Sequence, residues 1–466
     1  MSWPRATARQ IARAVRRGDA SAASVLAEHI AEGDANAAVS GAFTTSRART
    51  ALAEATIVDQ LPDLASLPLA GVPVAVCERF PVAGQPTRHG SDATRQQVAA
   101  ADDEMVRRMR GAGAVVLGST RVSELGLWTA TDDGDDSLAN PWRADRGVGG
   151  PSGGAAVAVA DGTVPLALAT DGPGTGGGVR TVAAACGLVG LSLEHDPAVH
   201  HDDAERWLAG TAGILATTVE DAAECYAVLS RTELPSPVPD RRLRVAASDK
   251  PLVPGLPGLR GQLVVSDSQT LTTLLDVVRT LTAAGHDTHR AAPGLGTRAS
   301  SASFGAWAAA AYLRARPFDR NRLQRRTRRL AGMGERIVRG NLYGGLLGDG
   351  ARTRRHARDW FADNGFDLLV SPALAGPPPV AETWSRRGLR DNLRTSARAA
   401  AFTAPWGLIG LPAMVVPVGV RRDGLPACVQ LVAPPGRTDV LFDVATLLSD
   451  RLKPRRYPPG AREIVH

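Results

Sequence analysis

The stretch from residue 166 to residue 191, LALATDGPGTGGGVRTVAAACGLVGL, constrains the fold of this chain more than any other. Its apolar start predicts a short buried strand, and residues 172–178 form a glycine-rich loop before a run of small apolar residues. Because glycine adopts positive φ without a steric penalty, such a loop can point several backbone N–H groups in one direction. Those groups can hold an oxyanion or a phosphate, although the Gly-Lys-Ser/Thr ending of a phosphate loop is absent. A plain glycine-rich connection fits this stretch equally well.

The size and charge of the chain limit the class of protein to which it can belong. With 466 residues, of which 44% are hydrophobic, it is long enough for one large α/β domain or for two domains. The 54 Lys and Arg residues exceed the 47 Asp and Glu residues, and the pI is about 9.8. Aromatic residues make up only 4%, and the densest basic run, residues 322–329, is typical of a solvated helix face. We therefore predict no nucleic-acid partner.

Cysteine usage and hydropathy predict a soluble cytoplasmic protein. The four cysteines show neither a disulfide framework nor a zinc pattern, and free thiols suit a reducing compartment. The N-terminus lacks the apolar region of a signal peptide, and no apolar run reaches the roughly 20 residues of a membrane span. The histidines and aspartates between 195 and 203 are interpreted as a surface loop rather than a metal site. We predict no metal, no cofactor and no membrane partner.

Helices and strands alternate along the first half of the chain. Its N-terminal part predicts helices at 7–18, 21–33 and 46–59. The chain then predicts a buried strand at 71–76 that ends at Cys77, a helix at 103–111, a strand at 114–118, a polar loop at 140–150 and a helix at 155–160. Strand, helix, strand and helix at this spacing favour an α/β fold with a mostly parallel sheet.

The second half changes character and then returns to α/β. Residues 230–260 are interpreted as a junction, followed by a strand at 263–265, a helix at 271–285 and a largely helical, arginine-rich part at 300–362. Apolar strands recur at 366–370, 411–420 and 428–432, and the last helix is predicted at 438–452. We predict one continuous domain over residues 1–466. Its parts are N-terminal helices at 1–65, a core at 66–230, a divergent helical segment at 235–365 and a part at 366–466 that completes the core.

Six segments, taken in order, resemble the amidase signature family. They are the N-terminal helix pair, LAGVPVAVCERFPVAGQPTRHGS at 69–91, RRMRGAGAVVLGSTRVSELGLW at 107–128, NPWRADRGVGGPSGGAAVAVADG at 140–162, the stretch at 166–191, and TAPWGLIGLPAMVVPVGVRRDGLPACVQLVAPP at 403–435. The resemblance implies an amidase signature fold, in which a large mixed, mostly parallel sheet lies between layers of helices. It also implies hydrolysis of small carboxamides by a Ser-cisSer-Lys triad. In that triad a neutral lysine takes the nucleophile's proton through a bridging serine, and backbone amides hold the oxyanion.

This sequence differs from the family pattern at all three triad positions. Cys77 stands where the lysine ends its strand, and Pro151 stands where the first serine of the Ser-Ser pair is expected. Gly178 precedes Val-Arg, where the nucleophile precedes Ile-Arg in the family. A forward count from Pro151 places Thr175 at the nucleophile's usual distance instead. We prefer the first alignment, because the residues that follow Gly178 anchor it.

The substitutions remove the family's proton-transfer groups. Pro151 and Gly178 have no side-chain proton to give or take, and Cys77 cannot serve as a lysine-like base with the same reach. Loss of triad parts removes most of the rate, while oxyanion amides and binding groups can remain. We therefore expect a ligand-sized cavity whose backbone amides come from Thr175, Gly176, Gly177 and Gly178.

Several of these residues allow two interpretations. Cys77 is either a thiolate whose pKa is lowered by Arg79 or a small buried residue that fills the space of the lysine, and we favour the second. Thr175 is either a relocated nucleophile or a loop residue with no base to activate it, and we favour the loop residue. Ser152 can bond a ligand or cap the helix that follows it, and capping is the commoner role.

Three further residues lie around the expected cavity. His89 follows the strand that ends at Cys77 and can approach the cavity, but a lone histidine is more often structural. Asp171 and Arg180 flank the glycine-rich loop. We expect these two to pair and to hold the shape of the loop.

Three functions remain open on these residues. The favoured one is a homologue that binds a small carboxamide-like ligand, or a partner protein, without hydrolysing it. The second is a repurposed enzyme that performs acyl transfer or condensation in the old cavity. The third is an amidase with a rearranged site. The expected partner is a small carboxamide or acyl compound, and a homodimer is left open because members of the family are often dimers.

Overall fold

The computed structural model describes residues 3–94, 98–134, 136–172, 177–194, 208, 210–235, 238, 241–252, 264–340 and 342–459. The helices in these ranges are α1 Ala8–Arg17, α2 Ala22–Ser40, α3 Ala48–Val58, α4 Glu104–Gly111, α5 Gly153–Ala160, α6 Gly178–Cys186, α7 Val219–Ser230, α8 Ser268–Ala283, α9 Gly296–Ala315, α10 Arg325–Arg339, α11 Leu342–Asn364, α12 Leu389–Ala399, α13 Ala404–Ile409 and α14 Thr438–Leu452. The strands are β1 Phe43–Ser46, β2 Pro73–Cys77, β3 Val115–Thr120, β4 Ala139–Asn140, β5 Arg143–Gly147, β6 Leu166–Asp171, β7 Val189–Ser192, β8 Thr211–Ala216, β9 Arg244–Ala247, β10 Asp287–Arg290, β11 Leu368–Pro372, β12 Ala413–Val420 and β13 Pro426–Val432.

Eleven of these strands form one mixed sheet, in the order β1-β3-β2-β6-β8-β7-β12-β13-β11-β9-β10. The expected α/β class with a large mixed sheet is therefore confirmed. The expectation of a mostly parallel sheet is wrong, because six of the ten neighbouring strand pairs are antiparallel. Parallel pairs occur only at β3-β2-β6 and β11-β9-β10. The short connection between β12 and β13 forces that pair to be antiparallel, since a parallel pair needs a long crossover.

The core lies on both sides of the middle strands. All residues of β2 and β6 are buried, as expected of strands covered by helices on both faces. Helices α5 and α6 are built almost wholly from small residues, and every residue in both is buried. Small side chains let these two helices pack closely against the sheet. The ends of β2 and β6 and the beginnings of α5 and α6 therefore meet in the interior.

Several helix boundaries agree with the sequence prediction, and the exceptions have local causes. Helix α14 has the predicted bounds. Helix α2 continues past Gly33, where a stop was predicted, and ends at Ser40; its C-cap, Gly41, lies in the left-handed region with φ of 53°. Gly33 lies within the helix, and a Cβ built there would come within 3.1 Å of the Thr163 side chain. The predicted polar loop at 140–150 instead contains the β4-β5 hairpin.

The segment at 235–365 contributes more than helices. Its strands β9 and β10 extend the sheet beyond β11, while α8 to α11 supply the helical part. Of the strand predicted at 263–265, residue 263 lies outside the described residues, and residues 264 and 265 form no strand. The division of the chain into one domain with four parts stays a prediction.

Within the described ranges, no helix combines the length and the apolar character needed to cross a membrane.

Candidate functional site

Three polar side chains meet where β2 and β6 end and α5 begins. Ser152 donates a hydrogen bond from Oγ to Sγ of Cys77 at 3.4 Å. The same oxygen lies 3.2 Å from Oγ1 of Thr170 and accepts the backbone N–H of Thr170 at 3.1 Å. Both Cys77 and Ser152 are fully buried. Cys77, which the sequence is expected to place at the position of the lysine, is therefore part of a closed network of hydrogen bonds.

The electrostatic environment keeps the Cys77 thiol protonated. Burial raises its pKa, and the hydrogen bond from Ser152 and the charge of Arg79 oppose this rise without reversing it. A neutral thiol is a weak nucleophile and a weak proton acceptor. The geometry therefore agrees with the interpretation of Cys77 as a small buried residue rather than a thiolate.

Ser152 occupies the N-cap position of α5, but it does not cap the helix. Its side chain makes no capping hydrogen bond, so the favoured capping role is wrong. The cause is competition, because the N–H of Thr170 and the thiol of Cys77 already engage the hydroxyl. The adjoining Gly150-Pro151 peptide bond is cis, and the carbonyl of Pro151 accepts the N–H of Ser123 at 2.9 Å. Pro151 offers no hydroxyl to continue a proton relay from Ser152.

The position assigned to the nucleophile has no space for a side chain. Gly178 is the first residue of α6, and a Cβ built there would overlap the carbonyl oxygen of Thr170. Gly177 has φ of 88°, and a Cβ built on it would likewise overlap the side chain of Thr403. Both glycines are thus required by the packing of β6 against α6 and the segment before α13. Thr175 and Gly176, expected to supply a nucleophile or oxyanion amides, lie outside the described residues.

Asp171 and Arg180, which were expected to pair, form a fully buried ion pair at 2.9 Å. Arg180 also donates to Oε1 of Gln430 at 2.7 Å, and Gln430 donates to the carbonyl of Phe402 at 2.9 Å. Asp171 accepts the N–H of Gly172 at 2.7 Å. This network, called the loop support below, fixes both ends of the glycine-rich loop to β13. Such a pair is costly to break, because each charge would be left buried.

Positive charge is concentrated near the same strand ends. Arg314 on α9 donates to the carbonyls of Leu125 and Gly126 at 3.2 and 3.1 Å. The aliphatic part of Arg79 packs against Gly126. Burial, together with the charges of Arg79 and Arg314, lowers the pKa of His89 to about 3. Within the described part of the chain, Nδ1 of His89 is buried and has no hydrogen-bond partner.

Sequence reasoning missed Arg314, and it named Arg79 only as a neighbour of Cys77. Arg314 lies in an arginine-rich stretch in which exposed and buried arginines look alike. Its contact with residues 125 and 126 joins positions almost 190 apart in the chain. No local pattern reports such a contact.

Two cavities lie in this part of the molecule, and neither is lined by Cys77, Ser152 or Thr170. One, of about 250 Å³, touches Gly149 and Thr181 and is bordered by Arg146, Arg398 and a Pro-rich turn at 377–379. The other, of about 410 Å³, lies around Glu78. The described residues contain no group of three His, Cys, Asp or Glu side chains that could hold a metal, and residues 195–203 lie outside them.

Comparison with known proteins agrees with this fold. The family model "Amidase" matches residues 25–441. The chain is 33% identical over 431 residues to the putative amidase AmiA2 of Mycobacterium tuberculosis, covering 87% of this chain and 85% of that protein. It is 28% identical to the 6-aminohexanoate-cyclic-dimer hydrolase of Paenarthrobacter ureafaciens, covering 97% and 95% of the two chains. A solved structure of 6-aminohexanoate cyclic dimer hydrolase superimposes with a TM-score of 0.82 at 25% identity, covering 99% of this chain and 100% of that chain. A fold shared over nearly the whole length and a family match over most of it agree: the chain belongs to the amidase family.

Proposed function

We propose that the protein binds a small carboxamide or carboxylate compound at the ends of β2 and β6 and does not hydrolyse it by a Ser-cisSer-Lys mechanism. The observation that carries this proposal is the packing of Gly178. The position assigned to the nucleophile lies against the carbonyl of Thr170 and has no room for a hydroxyl-bearing side chain.

The remaining polar groups support the loss of the family mechanism. A serine becomes a nucleophile only when a neighbouring base takes its proton. The neighbours of the Ser152 hydroxyl are a protonated thiol, at Cys77, and the hydroxyl and N–H of Thr170. None of these can accept a proton as a neutral lysine does. The network therefore stabilises the strand ends and provides no general base.

The charges around the site favour a ligand with a carbonyl or carboxylate oxygen. Arg79 and Arg314 are both partly buried, and burial, together with the charge of Arg79, lowers the pKa of Arg314. A partly negative oxygen that enters this region is attracted to both guanidinium groups. The neutral ring of His89 and the N-terminus of α6 add hydrogen-bond donors, which also favour a partly negative oxygen.

The names of the relatives support the same ligand class. Several are called amidases, and two are hydrolases of a cyclic dimer of 6-aminohexanoate, which is itself an amide. We propose that this chain keeps a binding site for an amide although the reactive groups are replaced. The proposal therefore takes the ligand class from the relatives and the absence of turnover from the residues of this chain.

The test combines binding and turnover in one series. Purified protein is incubated with butyramide, benzamide, acetanilide and the cyclic dimer of 6-aminohexanoate, and with butyrate and benzoate. Calorimetry measures binding, and chromatography measures hydrolysis. We expect at least one of these compounds to bind, no hydrolysis above the uncatalysed rate, and weaker binding in Arg314→Gln. Arg316→Gln, an exposed arginine two residues further along the chain, is the matched control.

Hydrolysis of any of these amides would contradict the proposal, and variants would then identify the residue that is responsible for it. Hydrolysis that is lost in Thr175→Ala or Cys77→Ala would indicate an amidase with a rearranged site. Formation of a hydroxamate when hydroxylamine is added would instead indicate acyl transfer. No binding of any amide or acid would contradict the small-ligand proposal and leave a partner protein as the alternative to pursue.

A further inference from the structure

Glu78 lies directly after Cys77 but faces the opposite side of the sheet. The chain continues the strand geometry past β2, because the N–H of Glu78 donates to the carbonyl of Thr120 at 3.1 Å. Successive residues of an extended chain point to opposite faces. Cys77 contacts Ser152 on one face, whereas Glu78 lines the cavity of about 410 Å³ on the other. This cavity is therefore separate from the site described above.

The carboxylate of Glu78 is buried among residues that leave its oxygens without a hydrogen bond. The residue is 1% exposed, and among the residues that the structure describes neither of its oxygens has a hydrogen-bond partner. Burial raises the pKa of this carboxylate, and the backbone amides of Arg88 and Gly90 and the hydroxyl of Thr44 face it and offset part of that rise without reaching hydrogen-bonding geometry. The Thr44 hydroxyl instead donates to the carbonyl of Ser119 at 3.1 Å. A buried carboxylate that lacks donors is unfavourable unless something else supplies them.

The other acids that line this cavity do have partners or contact solvent. Glu124 accepts hydrogen bonds from the Ser91 hydroxyl at 2.7 Å and from the N–H of Gln324 at 3.0 Å. Asp133 pairs with Arg121 at 2.9 Å. Asp132 pairs with Arg326, and Asp92 is exposed. Glu78 thus differs from its neighbours in having both burial and an unused pair of acceptors.

We infer that the cavity around Glu78 is a second ligand site, which takes a small organic cation bearing N–H donors, such as an alkylammonium or a guanidinium. The cavity has the volume of a small-molecule site. Its lining carries five acidic side chains against three arginines, so the balance favours a cation. A charged N–H donor supplies what the Glu78 oxygens lack, with the strength of a charge-assisted hydrogen bond.

The arrangement fits an organic cation better than a metal ion. The described residues around Glu78 contain no group of three His, Cys, Asp or Glu side chains at metal-binding distances. The carboxylate of Glu78, which accepts no hydrogen bond from the described residues, instead suits a single ammonium or guanidinium head. This site does not depend on the ligand proposed at the other face, because Cys77 and Glu78 project in opposite directions.

The site predicts pH-dependent binding. Burial raises the pKa of Glu78 to about 7, against the opposing charge of Arg88. The other charged groups that face the cavity are Asp92, Arg121, Glu124, Asp132, Asp133 and Arg322. With a pKa of about 7, only about 3% of Glu78 is ionised at pH 5.5 and nearly all of it at pH 8.5. A cation that requires the ionised form should therefore bind about 30-fold more weakly at pH 5.5.

Calorimetry with agmatine, which carries both a guanidinium and an ammonium, tests the inference on the full chain. We expect binding at pH 8.5 and a loss of at least about tenfold in affinity in Glu78→Gln, the scale of one lost charge-assisted hydrogen bond. Glu233→Gln, at an exposed glutamate outside the cavity, should bind like the wild type. n-Butylammonium and n-butylguanidinium show which head is preferred. Tetramethylammonium, which has charge but no N–H donor, should bind at least about tenfold more weakly.

Three results would overturn the inference. One is that neither agmatine nor either butyl compound binds. Another is that Glu78→Gln binds agmatine as well as the wild type does. The third is that tetramethylammonium matches n-butylammonium, which would indicate general attraction of cations. If Glu78→Gln does not fold, the affinity of the wild-type protein for agmatine at pH 5.5 and pH 8.5 tests the inference instead. Equal affinity at the two pH values would exclude Glu78 as the binding group.

Discussion

The loop support around Arg180 and the network around Cys77 lie side by side at the ends of β6 and β2, yet they differ in composition. In the loop support, charged and amide groups are fully paired across three elements, from Asp171 through Arg180 to Gln430. In the Cys77 network, a thiol and hydroxyls take the place of charged groups, and Gly178 has no side chain. The framework that positions the glycine-rich loop is thus complete, whereas we propose that the groups that perform proton transfer in the family are replaced in this chain. In this fold, the residues that hold the glycine-rich loop in place are therefore different from the residues at the position of the reactive groups.

Removal of Arg180 tests the structural side of this comparison and should have the largest effect. Arg180→Ala leaves Asp171 buried without its partner, and loss of one member of a buried pair costs about 3–5 kcal/mol. Urea unfolding followed by circular dichroism measures the change. Arg398→Ala, at an exposed arginine, should change the free energy of unfolding by less than about 0.5 kcal/mol. Equal effects in the two variants would contradict the role of the loop support.

Glu78→Gln extends the comparison to the opposite face of β2. The pKa of Glu78 in the folded protein, about 7, lies above the ordinary value of 4.5 for a glutamate, so ionisation weakens the folded state as the pH rises between these values. Glutamine removes this penalty. At pH 8 the variant should be more stable than the wild type by at most about 3 kcal/mol, and near pH 4 the two should be similar. Urea unfolding at both pH values checks the sign. A variant that is less stable at pH 8 would show that the Glu78 carboxylate is satisfied in the folded protein.

Gly178→Ser tests whether a nucleophile can simply be restored. The added Cβ would overlap the carbonyl of Thr170, so the variant should lose about 2 kcal/mol of stability through overpacking. It should gain no amide hydrolysis, because no base stands beside it. Thermal unfolding and turnover of butyramide measure the two expectations. A stable variant that hydrolyses butyramide would show that the position accepts a serine and that the framework is still catalytic.

Ser152→Ala should have the smallest effect of these variants, and it should lower the stability of the protein without changing its ligand affinity. The variant leaves the N–H of Thr170 without its acceptor, a loss of about 1 kcal/mol. Ligand affinity should stay within about twofold, since Ser152 holds the strand end and does not face the ligand in this account. Urea unfolding and calorimetry with the tightest-binding amide measure these two quantities. A large loss of affinity with little loss of stability would instead assign Ser152 to ligand binding.

Much of the fold could be predicted from the sequence because its signals are local. The apolar run that ends at Cys77, the small-residue helices and the amphipathic helix α14 each carry a pattern that determines one element. The direction of neighbouring strands is not local, and the sheet was therefore predicted to be more parallel than it is. The β4-β5 hairpin was missed because its residues are polar and charged and resemble a loop.

The site was harder to predict, for reasons that particular residues illustrate. The pairing of Asp171 with Arg180 was inferred because the two flank one loop. The role of Ser152 was wrong because its competing partner, Thr170, comes from a different strand. Arg314 acts through contacts with a distant segment. The alternation along β2 could have identified Glu78, since a charged residue directly after a buried strand end must face the side opposite to its neighbour.

The most direct test of the central claim is labelling with a fluorophosphonate, which reacts with activated serine and threonine hydroxyls. Intact-mass measurement of the wild-type protein after prolonged incubation with excess reagent reports any adduct, and peptide mapping locates it. We predict no adduct, because Gly178 leaves no space for a nucleophile and the hydroxyl of Ser152 has no base beside it. A stoichiometric adduct on Thr175 or Ser152, together with hydrolysis of any amide in the series, would contradict the account and indicate that the protein is a working amidase.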